Sequence, residues 1–210
     1  WDQGTGITTV SGAGSRIDVV DHIALGVDTG TGTSKGTMTV TDGAVVKTPQ
    51  LIVGFGVAGQ GSLNIGAGGA AGTIDGMIRL VGASALVNFN HTDANYTFAN
   101  AINDWDHANG IGTASGSVNF IGSGTTTLTA VSDYSVATNI NAGKVIVASG
   151  ASIANSSLTT VNSGGTLAGA GSVGNVMVAN GGTIAQNGSD KLTVKDITFA
   201  AGSIYRVGIN

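Results

Sequence analysis

The sequence predicts an all-β chain folded as a β-solenoid, a stack of short coils in which each strand pairs with the strand one coil away. Three observations support this. First, the last third reads as four related lines, NAGKVIVASGASI, LTTVNSGGTLAGAGSVG, NVMVANGGTIAQNG and KLTVKDITFAAGSIYRVGIN, each ending its aliphatic stretch in Gly, Asn or Ser. Second, the aliphatics alternate with a period of two, as in Val145/Val147, Val176/Val178, Leu192/Val194 and Ile197/Phe199. Third, the chain carries 36 glycines and no window with three-four helical spacing over three turns. Each glycine in a helix interior would cost about 1 kcal/mol.

Taken from the N-terminus, the segment from Asp18 to Gly72 has its own register. Met38/Val40 before Gly43 and Leu63/Ile65 before Gly68 repeat at a constant offset of 25 residues. Leu25-Gly26-Val27 matches Val53-Gly54-Phe55 after a three-residue change in loop length. Asp42-Gly43 and residues 30–36 read as turns, and Pro49 as a turn between two strand-like runs. Val87 to Asp93 and Tyr96 to Ile102 read as further coil, and the strand GSVNF follows at 116–120. Between them, residues 103–112 are the most polar and least repetitive stretch, read as a loop inserted into one continuous solenoid spanning residues 1–210. Thr125 to Thr129 and Tyr134-Ser135-Val136 lead into the C-terminal lines, residues 141–210. There, Gly150-Ala151-Ser152-Ile153, Gly164-Gly165-Thr166-Leu167, Gly181-Gly182-Thr183-Ile184 and Ala201-Gly202-Ser203-Ile204 read as four copies of one turn-and-strand unit. The few aliphatics of a single coil do not offset its ordering entropy. Coils of this kind are stable only as a stack, through ladder hydrogen bonds and rows of aliphatics and Asn, Ser and Thr.

The lines INAGKVIVASGASI, VNSGGTLAGAGSVG, VANGGTIAQNGS and ITFAAGSIYRVGIN together resemble the C-terminal end of an autotransporter (type V secretion) passenger domain. The likeness runs closely from Val118 to Asn210 and more loosely upstream, where LGVDTGTGTSKGTMTVTDGAVV resembles passenger strand repeats. It implies a right-handed parallel β-helix whose residues 141–210 act as an autochaperone, nucleating folding outside the cell. Val176, Val178, Ile184, Leu192, Val194, Ile197 and Phe199 would form the core of those coils. It also implies a signal peptide and an outer-membrane β-barrel flanking this stretch in the parent protein, and a location on the bacterial cell surface.

Composition narrows the function classes. With only 10% charged residues and 41% hydrophobic ones, the chain is not of the disordered kind. A net charge of −4 with eight Lys and Arg excludes nucleic acid as a main partner. No run of 18 apolar residues spans a bilayer as a helix. The absence of cysteine fits chance, and equally fits selection against disulfides before export.

Motifs that would carry chemistry lack their context. Gly32-Thr33-Ser34-Lys35-Gly36 spells a nucleophile elbow without the strand and helix it needs. Gly54–Gly59 and Gly169–Gly174 spell G-x-G-x-x-G before strands rather than helices. The acids Asp18, Asp21, Asp28, Asp42 and Asp75 read as scattered, Arg79 stands alone and there is no Glu, so no catalytic residues are expected. His91, Asp93, Asp104, Asp106 and His107 could ring an ion, but His91 and Asp93 sit in ordinary coil. No metal and no cofactor are expected. The candidate partner-binding loop is Asp104, Trp105, Asp106 and His107, an aromatic flanked by acids. Its expected partner is a host cell-surface or extracellular-matrix protein, with self-association of the stack as a second role and the stalk of an enzymatic passenger as the alternative.

Overall fold

A computed structural model of the chain describes residues 4–28, 30, 32–56, 58–82, 84–104, 115–187 and 190–208. Among these residues there are strands and turns and no helix. In chain order the strands are β1 (Thr5–Ser11), β2 (Arg16–Asp18), β3 (His22–Val27), β4 (Lys35–Thr41), β5 (Val45–Phe55), β6 (Gln60–Ile65), β7 (Thr73–Leu80), β8 (Ser84–Phe89), β9 (Tyr96–Phe98) and β10 (Ile102–Asp104). They continue as β11 (Gly116–Phe120), β12 (Thr125–Leu128), β13 (Ala137–Ile140), β14 (Gly143–Val147), β15 (Ser152–Ile153), β16 (Thr159–Val161), β17 (Gly165–Gly169), β18 (Ser172–Val178), β19 (Thr183–Asn187), β20 (Thr193–Phe199) and β21 (Ile204–Gly208). The strands pair in parallel with partners one coil away, as a parallel β-helix requires. The chain divides into two compact units, Trp1–His91 with Ile102–Ser117, and Thr92–Ala101 with Val118–Asn210.

In the first unit β1, β4, β6 and β8 form one face. The other face carries β2 and β3 on β5, then β7, then β10. The predicted offset is the observed register: Met38 pairs with Leu63, Val40 with Ile65, and Leu25 with Val53. Because strand side chains alternate, this register stacks like on like. Val10, Val40, Ile65 and Phe89 form one buried row. The outward row between the aliphatics is polar. Asn64 Nδ2 donates to Thr39 Oγ1 at 3.2 Å, and Asn88 Nδ2 to Asn64 Oδ1 at 2.9 Å.

Local chemistry sets the corners. Asp42 (φ 56°) and Gly43 (φ 77°) both take left-handed backbone, and Ala44 N–H donates to the Thr41 carbonyl at 3.1 Å. That is a type I′ turn, which an Asp-Gly pair favours. The expected turn at 30–36 ends early, since Lys35 and Gly36 already belong to β4. Pro49 lies within one strand rather than between two, at a bulge where the β5–β7 register slips between Lys47 and Gln50. A proline has no N–H for the ladder, and a bulge is where a sheet tolerates it. Gly61 marks a close approach of the two faces, for a Cβ there would sit 2.2 Å from Gly54 N. Asp28, 7% exposed, ties two coils together: its carboxylate accepts from Gly30 N–H at 2.9 Å and Ala58 N–H at 3.0 Å.

In the second unit β13, β16, β18 and β20 form one face, with β11 beside β13 and β15 also pairing β18. The other face runs β9, β12, β14, β17, β19 and β21. Ile140, Val161, Val178 and Phe199 make one register row, and Val145, Leu167, Ile184 and Tyr205 another. Several buried polar groups of this unit are paired through hydroxyls. Buried Tyr134 OH lies 2.8 Å from Thr138 Oγ1, which lies 2.9 Å from Ser156 Oγ.

Two of the four expected turn copies change place. Gly150-Ala151-Ser152-Ile153 belongs to the first of these faces, with Ser152 on Ser172 and Ile153 on Val173. The last copy shifts by one residue, so that Thr183 pairs with Ile204 and Ile184 with Tyr205. The stacked turn position is held by Gly164, Gly181 and Gly202, at φ 85°, 76° and 79°, with Gly181 N–H donating to the Gly202 carbonyl at 2.9 Å. Ala201 would carry a Cβ into that left-handed conformation, which Gly202 avoids. The expected core is also corrected at its end. Val176, Val178 and Ile184 are buried, but Leu192, Val194 and Ile197 are half-buried and Phe199 is 46% exposed. Among the described residues β20 pairs only with β18, so its inward side chains are covered from one side.

Candidate functional site

Of the four predicted contact residues, only Asp104 is described; Trp105, Asp106 and His107 lie outside the described residues. Asp104 itself lies in a strand. With Asn103 it closes β10, pairing in register with Leu80 as Asn103 pairs with Arg79. Its side chain is 8% exposed and continues the row that runs through Leu25, Val53 and Leu80. The alternation of buried Ile102 and buried Asp104 is a strand signal. It was readable in the sequence, but the polarity of the residues that follow outweighed it. His91 is likewise buried, at 2% exposure, behind β8. Among the described residues no three His, Cys, Asp or Glu side chains come together. Ser34, in the G-x-S-x-G stretch, is 7% exposed and runs directly into β4. Strand β6 follows the first G-x-G-x-x-G stretch and β18 begins within the second, so neither stretch faces a helix N-terminus.

The register does assemble one arrangement that reading along the sequence missed. Asp18, Lys47 and Asp75, three acids and bases from three coils, fall into a single outward row. Lys47 Nζ lies 3.0 Å from Asp75 Oδ2, and Arg16 Nε donates to Asp18 at 2.8 Å. The near-constant spacing of Asp18, Lys47 and Asp75 was the available signal. At the other end of the chain, Ile184, Leu192, Val194, Ile197, Phe199 and Tyr205 line an apolar recess of about 210 Å³. Phe199 and Tyr205 meet there edge to face with ring centroids 6.2 Å apart.

Buried aliphatic rows, polar outward ladders and glycine corners define the class, a parallel β-solenoid. Comparison with known proteins names the relationship. The chain is 37% identical over 181 residues to the adhesin BmaC autotransporter of Brucella suis biovar 1 (strain 1330). That alignment takes in 83% of the chain and 5% of the relative, so the chain spans a small part of that protein's length. The chain belongs to the autotransporter passenger family by this relationship, and its compartment is the bacterial surface, outer-membrane-associated or secreted. No family model and no solved structure matches it.

Proposed function

We propose that the chain is a non-enzymatic part of a surface adhesin. It mediates or presents adhesion to host cell-surface or extracellular-matrix proteins, and residues 141–210 nucleate folding of the coils before them. The observation that carries this reading is the 37% identity, over 83% of the chain, to a protein named as an adhesin. The solenoid itself favours a presenting and binding role over catalysis. Its outward positions form repeating polar rows such as Thr39, Asn64 and Asn88, which display extended surface rather than a convergent pocket. The nucleating role is favoured by the aliphatic rows Ile140–Val161–Val178 and Val145–Leu167–Ile184, which give each added coil a preformed edge.

The test is binding of the purified chain to host cells and to matrix proteins, beside a chain ending at residue 142 and a Trp105→Ala variant. Saturable binding that Trp105→Ala reduces at least about tenfold, the size of effect expected of an aromatic hot spot, supports adhesion through residues 104–107. Saturable binding that the substitution leaves unchanged retains the adhesin and removes residues 104–107 from it. No binding by the folded chain overturns adhesion by this region.

A further inference from the structure

At one height in the first unit β2 ends and the β5–β7 register slips. The chain leaves β2 at Val19-Val20, β5 bulges at Thr48-Pro49, and β7 passes the same point at Gly76. Gly76 is required there, because a Cβ would sit 1.7 Å from the Thr48 carbonyl oxygen. The result is a groove of about 460 Å³, lined by the Asp18–Lys47–Asp75 row together with Val19, Val20 and Pro49. That volume lies in the range of small-ligand sites. Val20 is 97% exposed, and the Asp18, Lys47 and Asp75 side chains are 57%, 55% and 56% exposed.

The geometry points to this groove as a binding site for a neutral, extended polysaccharide. Asp18, Lys47 and Asp75 stand one coil apart, so successive rungs of the groove are spaced at the inter-strand distance of about 4.8 Å. One sugar ring of an extended glycan advances by nearly that distance. A polypeptide laid along the same line would advance about 3.3 Å per residue and fall out of step. Along the row the carboxylate, ammonium and carboxylate offer acceptor, donor and acceptor to successive rings. The acids are already compensated, Asp18 by Arg16 and Asp75 by Lys47, which suits hydroxyl groups rather than sulfate or a cationic side chain. Val19, Val20 and Pro49 supply apolar surface for the C–H face of a ring. With no aromatic platform in the lining, affinity for a short oligomer falls in about the millimolar range.

This inference stands apart from the adhesion reading, since its test involves neither a host protein nor residues 104–107. The 210-residue chain, isotope-labelled, is titrated with a β-1,4-linked N-acetylglucosamine hexamer while amide and methyl NMR signals are followed. Saturable shifts confined to Val19, Val20, Thr48 and Gly76 are expected, weakened about fivefold in Asp75→Asn, the loss of one hydrogen bond. Val20→Asp, which removes apolar surface at an exposed position, weakens them independently, and unchanged signals elsewhere report that both variants remain folded. Absent or unlocalised shifts overturn the site. A heparin hexasaccharide or a lysine-containing decapeptide that shifts the same signals more strongly than the neutral sugar overturns the ligand class.

Discussion

At the scale of single residues, two side chains show how the coils are held in step. The Asp28 carboxylate accepts two backbone N–H groups, one from its own loop and one from the next coil. Asp28→Ala leaves those donors without their acceptor and lowers stability by about 1–3 kcal/mol, as read from a shift in the urea midpoint. Asp28→Asn keeps one acceptor oxygen and loses less. Tyr96 behaves differently. Burial, and then the neighbouring Asp93, push its phenol above the ordinary tyrosine value. A raised folded-state value means that the native state holds the proton more tightly than the unfolded chain does. The stabilisation is fully present below the ordinary value of about 10 and is lost as pH rises beyond it. Stability measured by denaturant between neutral pH and strongly alkaline pH therefore declines more shallowly in Tyr96→Phe than in the parent chain.

At the scale of the strand, the inward and outward faces of one segment contribute unequally. Leu63 is fully buried in β6, between Met38 and Val87 of the neighbouring coils, while Asn64 beside it faces outward in the amide row. Leu63→Ala is expected to cost about 2–5 kcal/mol through lost burial and the cavity left behind. Asn64→Ala is expected to cost about 1 kcal/mol or less, because its hydrogen bonds exchange with water at a half-exposed position. Paired thermal melts of the two variants decide this, and an Asn64→Ala variant as unstable as Leu63→Ala would refute the ranking. The strands were legible in the sequence for the same reason that Leu63 matters: inward aliphatics recur at fixed offsets, so the pairs Met38/Leu63 and Leu25/Val53 could be read before any coordinates. What could not be read was set by backbone rather than side-chain pattern. The one-residue shift at Ile204 follows from which residue takes the left-handed turn position. The bulge at Pro49 is a slip of the β5–β7 register, which the side-chain pattern does not encode. Asp104 reads as loop in the sequence because its charge outweighs its place in the alternation. Of the Asp18–Lys47–Asp75 row the sequence offers only a near-constant spacing, and the shared outward face is set by the register.

At the scale of the whole molecule, the reading of residues 141–210 as a folding nucleus makes a kinetic claim. Residues 118–210 alone are expected to refold cooperatively, and the chain ending at 142 to refold slowly or aggregate, because β13 then lacks its β16 partner and β12 its β14 partner. Refolding followed by circular dichroism and light scattering tests this; equal refolding of the chain ending at 142 and the full chain would remove the nucleating role. The parallel ladders have a mechanical consequence as well. In the second unit the N–H···O bonds of both faces point from coil to coil, so tension applied along that direction stretches them lengthwise. Neighbouring coils are joined on both faces at once, as β16 with β18 and β17 with β19. Under load such a stack yields one coil at a time, each rupture releasing a fixed length of chain while the coils behind it still hold. A protein held between two surfaces in flow would then lengthen in steps rather than detach at the first strong pull.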